Sequence, residues 1–140
     1  MLLTNNIYRL YRRDILPYAD VGIRVSDPSM IIWLERMLTC FGNVAGKRIL
    51  DFGAASGHKA MLLSKLGADV SAVDMAEESI VRMERARQLS GINFEIIKAD
   101  SRYLTTLDPG TFDLILCGEV IEHIPPSEIQ QFLHSLYNVL

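Results

Sequence analysis

Three aspartates each follow or end an apolar segment of the kind that forms a buried strand. They are Asp51 in ILDFGAASG, Asp74 in VSAVDMAEE and Asp100 in EIIKAD. A carboxylate accepts hydrogen bonds from hydroxyl and amino groups and pairs with cations, so all three are candidates for binding a polar ligand. Small residues after Asp51 leave backbone amides open to close approach by that ligand. These small residues are Gly53, Ala54, Ala55, Ser56 and Gly57.

The order of these residues bears on which ligand binds. Asp74 lies 21 residues after Gly53 (74 − 53), where an acid meets the ribose hydroxyls of a nucleotide. A nicotinamide dinucleotide would suit that spacing, but its turn is G-x-G-x-x-G and needs no acid before it. Here the pattern is D-x-G-x-A-x-G, and a leading carboxylate favours a cation over two phosphates. S-adenosylmethionine has an ammonium, a sulfonium and no phosphate, so we expect it as the cofactor, with Asp100 accepting from its adenine amino group.

Alternating strands and helices must position these side chains. Apolar periodicity predicts helices over residues 4–16 and 26–42, and then strands at 47–52, 69–74, 92–100 and 112–117. Further helices are predicted over 58–67 and 77–91 and from Ser127 onwards. This alternation predicts an α/β fold with a parallel sheet, which binds its ligands beyond the carboxyl ends of the strands.

Helix ends and buried faces follow from local signals. Asp27 before Pro28 predicts the start of the second helix, and Gly42 its end. Ser127 and Gln130 form a capping box for the last helix. Apolar residues at helical spacing predict one buried face on that helix, made of Ile129, Phe132, Leu133, Leu136, Tyr137 and Leu140.

Composition narrows the class of protein. The chain has 140 residues, a net charge of −3 and no concentrated basic patch, so we expect no nucleic-acid partner. Cys40 and Cys117 lie in apolar surroundings and make no metal-ligand or redox pair, so we expect buried free thiols in a reducing compartment and no metal. The start is unlike a signal peptide and no apolar run could span a bilayer, which predicts a cytoplasmic protein without a membrane partner.

Four ordered motifs between about Lys47 and Leu140 resemble the class I S-adenosylmethionine-dependent methyltransferases. The motifs are ILDFGAASG, VSAVDMAEESI, FEIIKAD and FDLILCGEVIEHIPP. The resemblance implies a Rossmann-like doubly wound sheet whose first four strands have the spatial order 3-2-1-4. EVIEHI with its trailing prolines resembles the subgroup that methylates small molecules such as quinone precursors. Branches that methylate amino groups of DNA and protein carry an Asn-Pro-Pro-Tyr type sequence after the fourth strand, and here that position is Cys117-Gly118-Glu119.

The same resemblance assigns roles to the candidate site. Gly53 and its neighbours would bound the methionine portion, Asp74 the ribose and Asp100 the adenine, on which Met75 would pack. Asp51 would act indirectly, by holding the loop and its waters near the ammonium. Three further residues after the third and fourth strands complete the expected site: Ser101, Cys117 and Gly118. The structural alternative for Asp74 and Asp100 is that each only caps a following turn.

His123 is the candidate catalytic residue. A hydroxyl acceptor loses a proton on methylation, and a histidine beside the cleft is suited to take it. A histidine after a strand can equally serve as a structural hydrogen-bonding group.

Two features depart from the family pattern. Ala55 stands at the middle glycine position of the first motif, where its methyl group would point toward the ligand or crowd the turn. The chain also stops before the family's fifth strand, so we expect residues 1–45 to be a helical segment packed on a cofactor-binding half, residues 46–140, without the C-terminal half of the sheet. Residues 112–117 would then be an apolar sheet edge without lysine, proline or bulge, which predicts self-association through this strand, pairing with another chain, or else poor solubility.

Two function hypotheses follow, with a third behind them. The first is methyl transfer from S-adenosylmethionine to a small-molecule acceptor, with this chain as the cofactor-binding half. The second is a non-catalytic methyltransferase-like module that binds the cofactor or a protein partner. A nicotinamide-dependent oxidoreductase is third, because the acid before the turn and the missing dinucleotide pattern disfavour it.

Overall fold

Four parallel strands form one sheet in the order β3-β2-β1-β4. The structure, a computed structural model, describes residues 2–19 and 28–140. Strand β1 pairs with both β2 and β4, and β2 pairs with β3. The bounds are β1 (Arg48–Phe52), β2 (Asp69–Asp74), β3 (Glu95–Lys98) and β4 (Leu114–Cys117). The predicted parallel α/β sheet and its strand order are confirmed.

Helices precede, connect and follow the strands. They are α1 (Leu2–Leu10), α2 (Pro28–Phe41), α3 (His58–Lys65), α4 (Glu77–Ser90) and α5 (Ile129–Asn138). Helix α1 continues into a π-helical segment, Tyr11–Ile15, and short 3-10 helices at Ser101–Thr106 and Ile121–His123 were not predicted. Gly42 ends α2 with a φ of +63°, as predicted, whereas the expected cap Asp27 lies outside the described residues.

Strands β3 and β4 are shorter than their apolar segments predicted. The segment before β3 closes the turn after α4, where the Ile92 amide donates to Ser90 Oγ. The segment before β4 turns toward the end of α5, where the Phe112 amide donates to the Val139 carbonyl. These backbone groups satisfy partners outside the sheet, so they do not extend the ladder.

Apolar side chains fill both faces of the sheet. Along β1, Ile49 packs on one face and Leu50 on the other, because successive strand residues point to opposite sides. The face of Ile49 is covered by α3 and α4 and also by Tyr11 and Ile15 of the N-terminal segment. The face of Leu50 is covered by α5, the Phe52 ring of β1 lying 5.6 Å from the ring of Phe132. The N-terminal segment is therefore part of the same core as the sheet.

Helix α5 and the cysteines differ from their predictions. Of the six residues predicted to form a buried face, only Phe132 is buried, whereas Leu133, Leu140 and Tyr137 are exposed, Tyr137 to 77%. The reason is that the described residues cover only the side of α5 that faces the sheet. Glu128 occupies the N-cap position and no side chain caps the helix, so the capping box at Ser127 was wrong. Cys40 is exposed, on the same side of α2 as the exposed Arg36, and Cys117 is half-buried. None of the helices in the described ranges is long and apolar enough to cross a membrane.

Candidate functional site

A cavity of about 840 Å³ opens at the carboxyl ends of the strands. Its volume lies in the range of about 300–1,000 Å³ that small-molecule sites occupy. Loops after all four strands contribute to its wall, as expected for ligand sites in open parallel sheets. Nine predicted site residues line it: Gly53, Ala55, Ser56, Asp74, Met75, Asp100, Ser101, Gly118 and His123. Four others lie behind the wall: Asp51, Ala54, Gly57 and Cys117.

The loop between β1 and α3 is fixed to the end of β2. The amides of Gly53 and Ala54 both donate to the Val73 carbonyl, at 2.8 and 3.0 Å. Gly53 has a φ of +79°, and a Cβ there would lie 2.3 Å from Val120 Cγ2. Only glycine fits this contact, so the loops after β1 and β4 meet directly at position 53.

Ala55 occupies a left-handed backbone conformation with a φ of +51°. Its side chain is exposed in the cavity wall, and its amide donates to Asp74 Oδ2 at 2.9 Å. A left-handed conformation costs an L-residue about 1–2 kcal/mol. The loop therefore accommodates alanine at the family's middle glycine position, and the cost is backbone strain.

Asp74 holds two turns through one carboxylate. Oδ2 accepts from the Ala55 amide and Oδ1 from the Ala76 amide, both at 2.9 Å. Capping, the structural alternative for this residue, is thus what the structure shows. A carboxylate has about four lone-pair sites, so two of them remain for a ligand on the cavity side.

Asp51 is a buried carboxylate without a hydrogen bond. It is 0% exposed, and neither oxygen has a hydrogen-bond partner in the part of the chain that the structure describes. Its nearest cation is Lys59 on α3, whose Nζ lies 3.8 Å from Oδ1. Burial raises the pKa of the Asp51 carboxyl, and the Lys59 charge opposes that rise. The carboxylate can therefore be stabilised further by a second donor or cation.

Asp100 is engaged by its neighbour Arg102. The carboxylate accepts from the Arg102 amide at 2.9 Å and from the guanidinium, whose Nη2 lies 2.5 Å from Oδ2. Those hydrogen bonds lower the pKa of Asp100. The side chain of Arg102 is 88% exposed, so solvent screens the pair and a ligand can displace it at modest cost. Met75, which is expected to pack on adenine, is 71% exposed and lines the same cavity as Asp100.

A neutral histidine follows the small-residue loop and also lines the cavity. Burial lowers the pKa of His58 to about 4, and its Nδ1 shares a 3.0 Å hydrogen bond with Ser56 Oγ. The ring of Tyr11 meets the His58 ring edge-on, with centroids 6.2 Å apart. Ser56 is thus fixed by the core of the N-terminal segment.

The candidate base lies on the part of the cavity wall that follows β4. His123 ends the short helix after β4, is exposed, and lines the cavity. Its amide donates to the Val120 carbonyl at 2.9 Å, which fixes its backbone. The acids Glu119 and Glu122 are both exposed. Burial raises the pKa of the Cys117 thiol on the adjoining strand, which disfavours its thiolate form.

Three cationic residues of the cavity wall were not predicted. They are Lys59, Arg82 and Arg102. Lys59 is only 8% exposed although it stands at the start of α3, where a lysine is ordinarily solvated. The described residues contain no cluster of three or more His, Cys, Asp or Glu side chains arranged to hold a metal ion.

Comparison with known proteins agrees with this geometry. Residues 49–140 match the family described as "Methyltransferase domain". The PH0226 protein from Pyrococcus horikoshii OT3 superposes with a TM-score of 0.72 at 27% identity, over 94% of this chain and 60% of that one. A "SAM dependent methyltransferase" from Aquifex aeolicus gives a TM-score of 0.64 at 25% identity, over 97% and 66%. The chain belongs to the class I S-adenosylmethionine-dependent methyltransferases.

Curated relatives add a more particular likeness. A "Ubiquinone biosynthesis O-methyltransferase" from Bordetella avium is 31% identical over 71% of this chain and 40% of its own length. Its namesake from Pseudomonas fluorescens is 30% identical over 83% of this chain and 47% of its own length. The chain thus spans less than half the length of these two relatives.

Proposed function

We propose that the chain binds S-adenosylmethionine in the cavity and contributes the cofactor-binding part of methyl transfer to a small molecule. The observation that carries this proposal is the convergence of Asp51, Asp74 and Asp100, from the ends of three strands, around one cavity. A buried carboxylate without a hydrogen bond suits a cationic ligand and disfavours a pyrophosphate. Membership of the methyltransferase family supports the same cofactor.

Each strand end would hold one part of the cofactor. The free lone pairs of Asp74 accept from the ribose hydroxyls while its other sites keep the two backbone hydrogen bonds. Asp100 exchanges part of its contact with Arg102 for the adenine amino group, and Ser101 and Met75 border the ring. Gly53 and the residues that follow it lie against the methionine end, with Asp51 behind them.

The relatives' name, O-methyltransferase, favours a hydroxyl acceptor. When bound, the cofactor supplies a methyl group made electrophilic by its sulfonium. His123 takes the proton that the acceptor oxygen loses, because it lies on the cavity wall and its side chain remains accessible. The wall otherwise positions the two reactants, which supplies much of the acceleration for an in-line displacement.

Calorimetry with two ligands tests the proposal. We expect S-adenosylhomocysteine to bind and a nicotinamide dinucleotide not to bind. Binding of the dinucleotide alone would refute the assignment in favour of an oxidoreductase. A single-turnover assay with radiolabelled methyl donor and a catechol acceptor then separates enzyme from binding module, since a module binds the homocysteine ligand without transferring the label.

A further inference from the structure

Two opposite charges lie buried together where β1 and β4 end beside the cavity. Asp51 is 0% exposed and Lys59 8% exposed, and the Asp51 Oδ1 to Lys59 Nζ distance is 3.8 Å. At that separation they form an ion pair but no direct hydrogen bond. Lys59 also lines the cavity, whereas Asp51 lies just behind the wall. Burial of two charges is costly, and Coulomb attraction between the two groups offsets part of that cost.

The ammonium of Lys59 has a second contact besides Asp51. It lies 5.5 Å from the centroid of the Trp33 ring, which makes a cation–π contact from α2. A Cβ at position 118 would lie 3.7 Å from Nζ, so the absence of a side chain at Gly118 leaves room beside the lysine head. The lysine therefore presents a fixed positive charge to the cavity at the junction of the loops after β1 and β4.

We propose that Lys59 binds the carboxylate of the cofactor's amino-acid end, while Asp51 behind it holds the lysine in position. The inference rests on the proposed function and adds a recognition residue that no motif contains. A ligand carboxylate offers the Lys59 ammonium the hydrogen bonds that the 3.8 Å ion pair with Asp51 does not supply.

Two ligands that differ only in the carboxylate test the proposal on the unaltered chain. They are S-adenosylhomocysteine and its decarboxylated analogue, 5′-deoxy-5′-(3-aminopropylthio)adenosine. A charge-assisted hydrogen bond to Lys59 predicts that calorimetry finds the first ligand bound about ten- to a hundredfold more tightly. Equal affinity for both ligands would overturn the role of Lys59 while leaving cofactor binding established. If neither ligand binds, both the proposed function and this inference fail.

Variants on α3 assign the discrimination to one residue. Lys59→Met should reduce the preference for S-adenosylhomocysteine to within about threefold, and Lys59→Arg should restore part of it. Lys65→Met is the matched control on the same helix, at a side chain that is 42% exposed, and should keep the full preference. A Lys59→Met protein that loses the same factor for both ligands, or binds the homocysteine more tightly, contradicts the proposal. Should that variant not fold, the ligand pair on the unaltered chain still decides.

Discussion

Replacing Ala55 with glycine should stabilise the chain, although glycine is usually the less stable choice. Ala55 has a φ of +51°, a conformation that glycine adopts without a steric penalty. Its methyl group is exposed, so its removal uncovers little apolar surface. The amide that donates to Asp74 Oδ2 is kept, because the substitution leaves the backbone donor unchanged.

The expected size follows from two opposed contributions. Relief of the left-handed strain contributes about 1–2 kcal/mol to the free energy of unfolding. The greater freedom of glycine in the unfolded chain removes about 0.5–1 kcal/mol. The net expectation is that Ala55→Gly raises the free energy of unfolding by about 0.7 kcal/mol, within limits of about 0 and 1.5 kcal/mol, and leaves affinity for S-adenosylhomocysteine unchanged or modestly higher.

Urea denaturation followed by circular dichroism measures this difference, with Ala54→Gly as the matched control. Ala54 is the preceding residue, has an ordinary negative φ and is 0% exposed. Its substitution uncovers a buried methyl group and adds chain entropy, so it should lower the free energy of unfolding by about 1.5 kcal/mol. If both variants lose stability equally, the strain assigned to Ala55 is refuted. A marked loss of ligand affinity in Ala55→Gly would instead show that the alanine methyl contacts the ligand.

Three further predictions concern one binding residue, one ion pair and one strand. Calorimetry should show that Asp74→Ala weakens the binding of S-adenosylhomocysteine by about 1.5–3 kcal/mol. The control Asp69→Ala, at the start of the same strand, should leave the affinity unchanged. An unchanged affinity in Asp74→Ala would remove that residue from the site. The Arg48 guanidinium and backbone amide hold the pKa of Asp113 at about 2, below the usual 3.8, so the pair's stabilisation is present above about pH 4 and is lost as pH falls toward 2. Asp113→Asn should therefore make the midpoint of unfolding depend less on pH between those pH values. An unaltered slope of the midpoint against pH would contradict the assignment. Strand β4 lies at one edge of the sheet and all four of its residues are partly exposed, so this chain should self-associate through it at micromolar concentration; sedimentation velocity showing only monomer would refute this.

The carboxyl ends of the strands were the most predictable part of the molecule, because β1, β2 and β4 end where their segments predicted. β2 matches its predicted bounds at both ends, because an aspartate stands at each end of its mostly apolar segment. Asp51, Asp74 and Asp100 were found for the same reason, since a polar residue directly after such a run lies at the ligand edge of the sheet. Local patterns thus placed most of the predicted cavity residues before any tertiary contact was known.

Burial across elements was less predictable. Helical periodicity marks which residues of α5 share a face, but it does not say how much of that face a neighbour covers, and Leu133 and Tyr137 are exposed. Cys40 was misassigned likewise, because its apolar neighbours in sequence point to another side of α2. Lys59 was missed for the opposite reason: a lysine at a helix start is ordinarily solvated, and only the packing of Trp33 and Asp51 around it makes it part of the site.

Asp74 shows why capping a turn and binding a ligand do not exclude each other at such a site. Its carboxylate fixes the Ala55 amide in one loop and the Ala76 amide in the next, so it sets the shape of the wall that a ribose would contact. Those two hydrogen bonds also prevent the side chain from rotating, so the remaining lone pairs keep one direction toward the cavity. A residue that only capped would not need to lie on the cavity wall, and one that only bound ligand would lose rotamer entropy on binding. The structural role therefore prepares the binding role, and substitution of Asp74 should weaken both together.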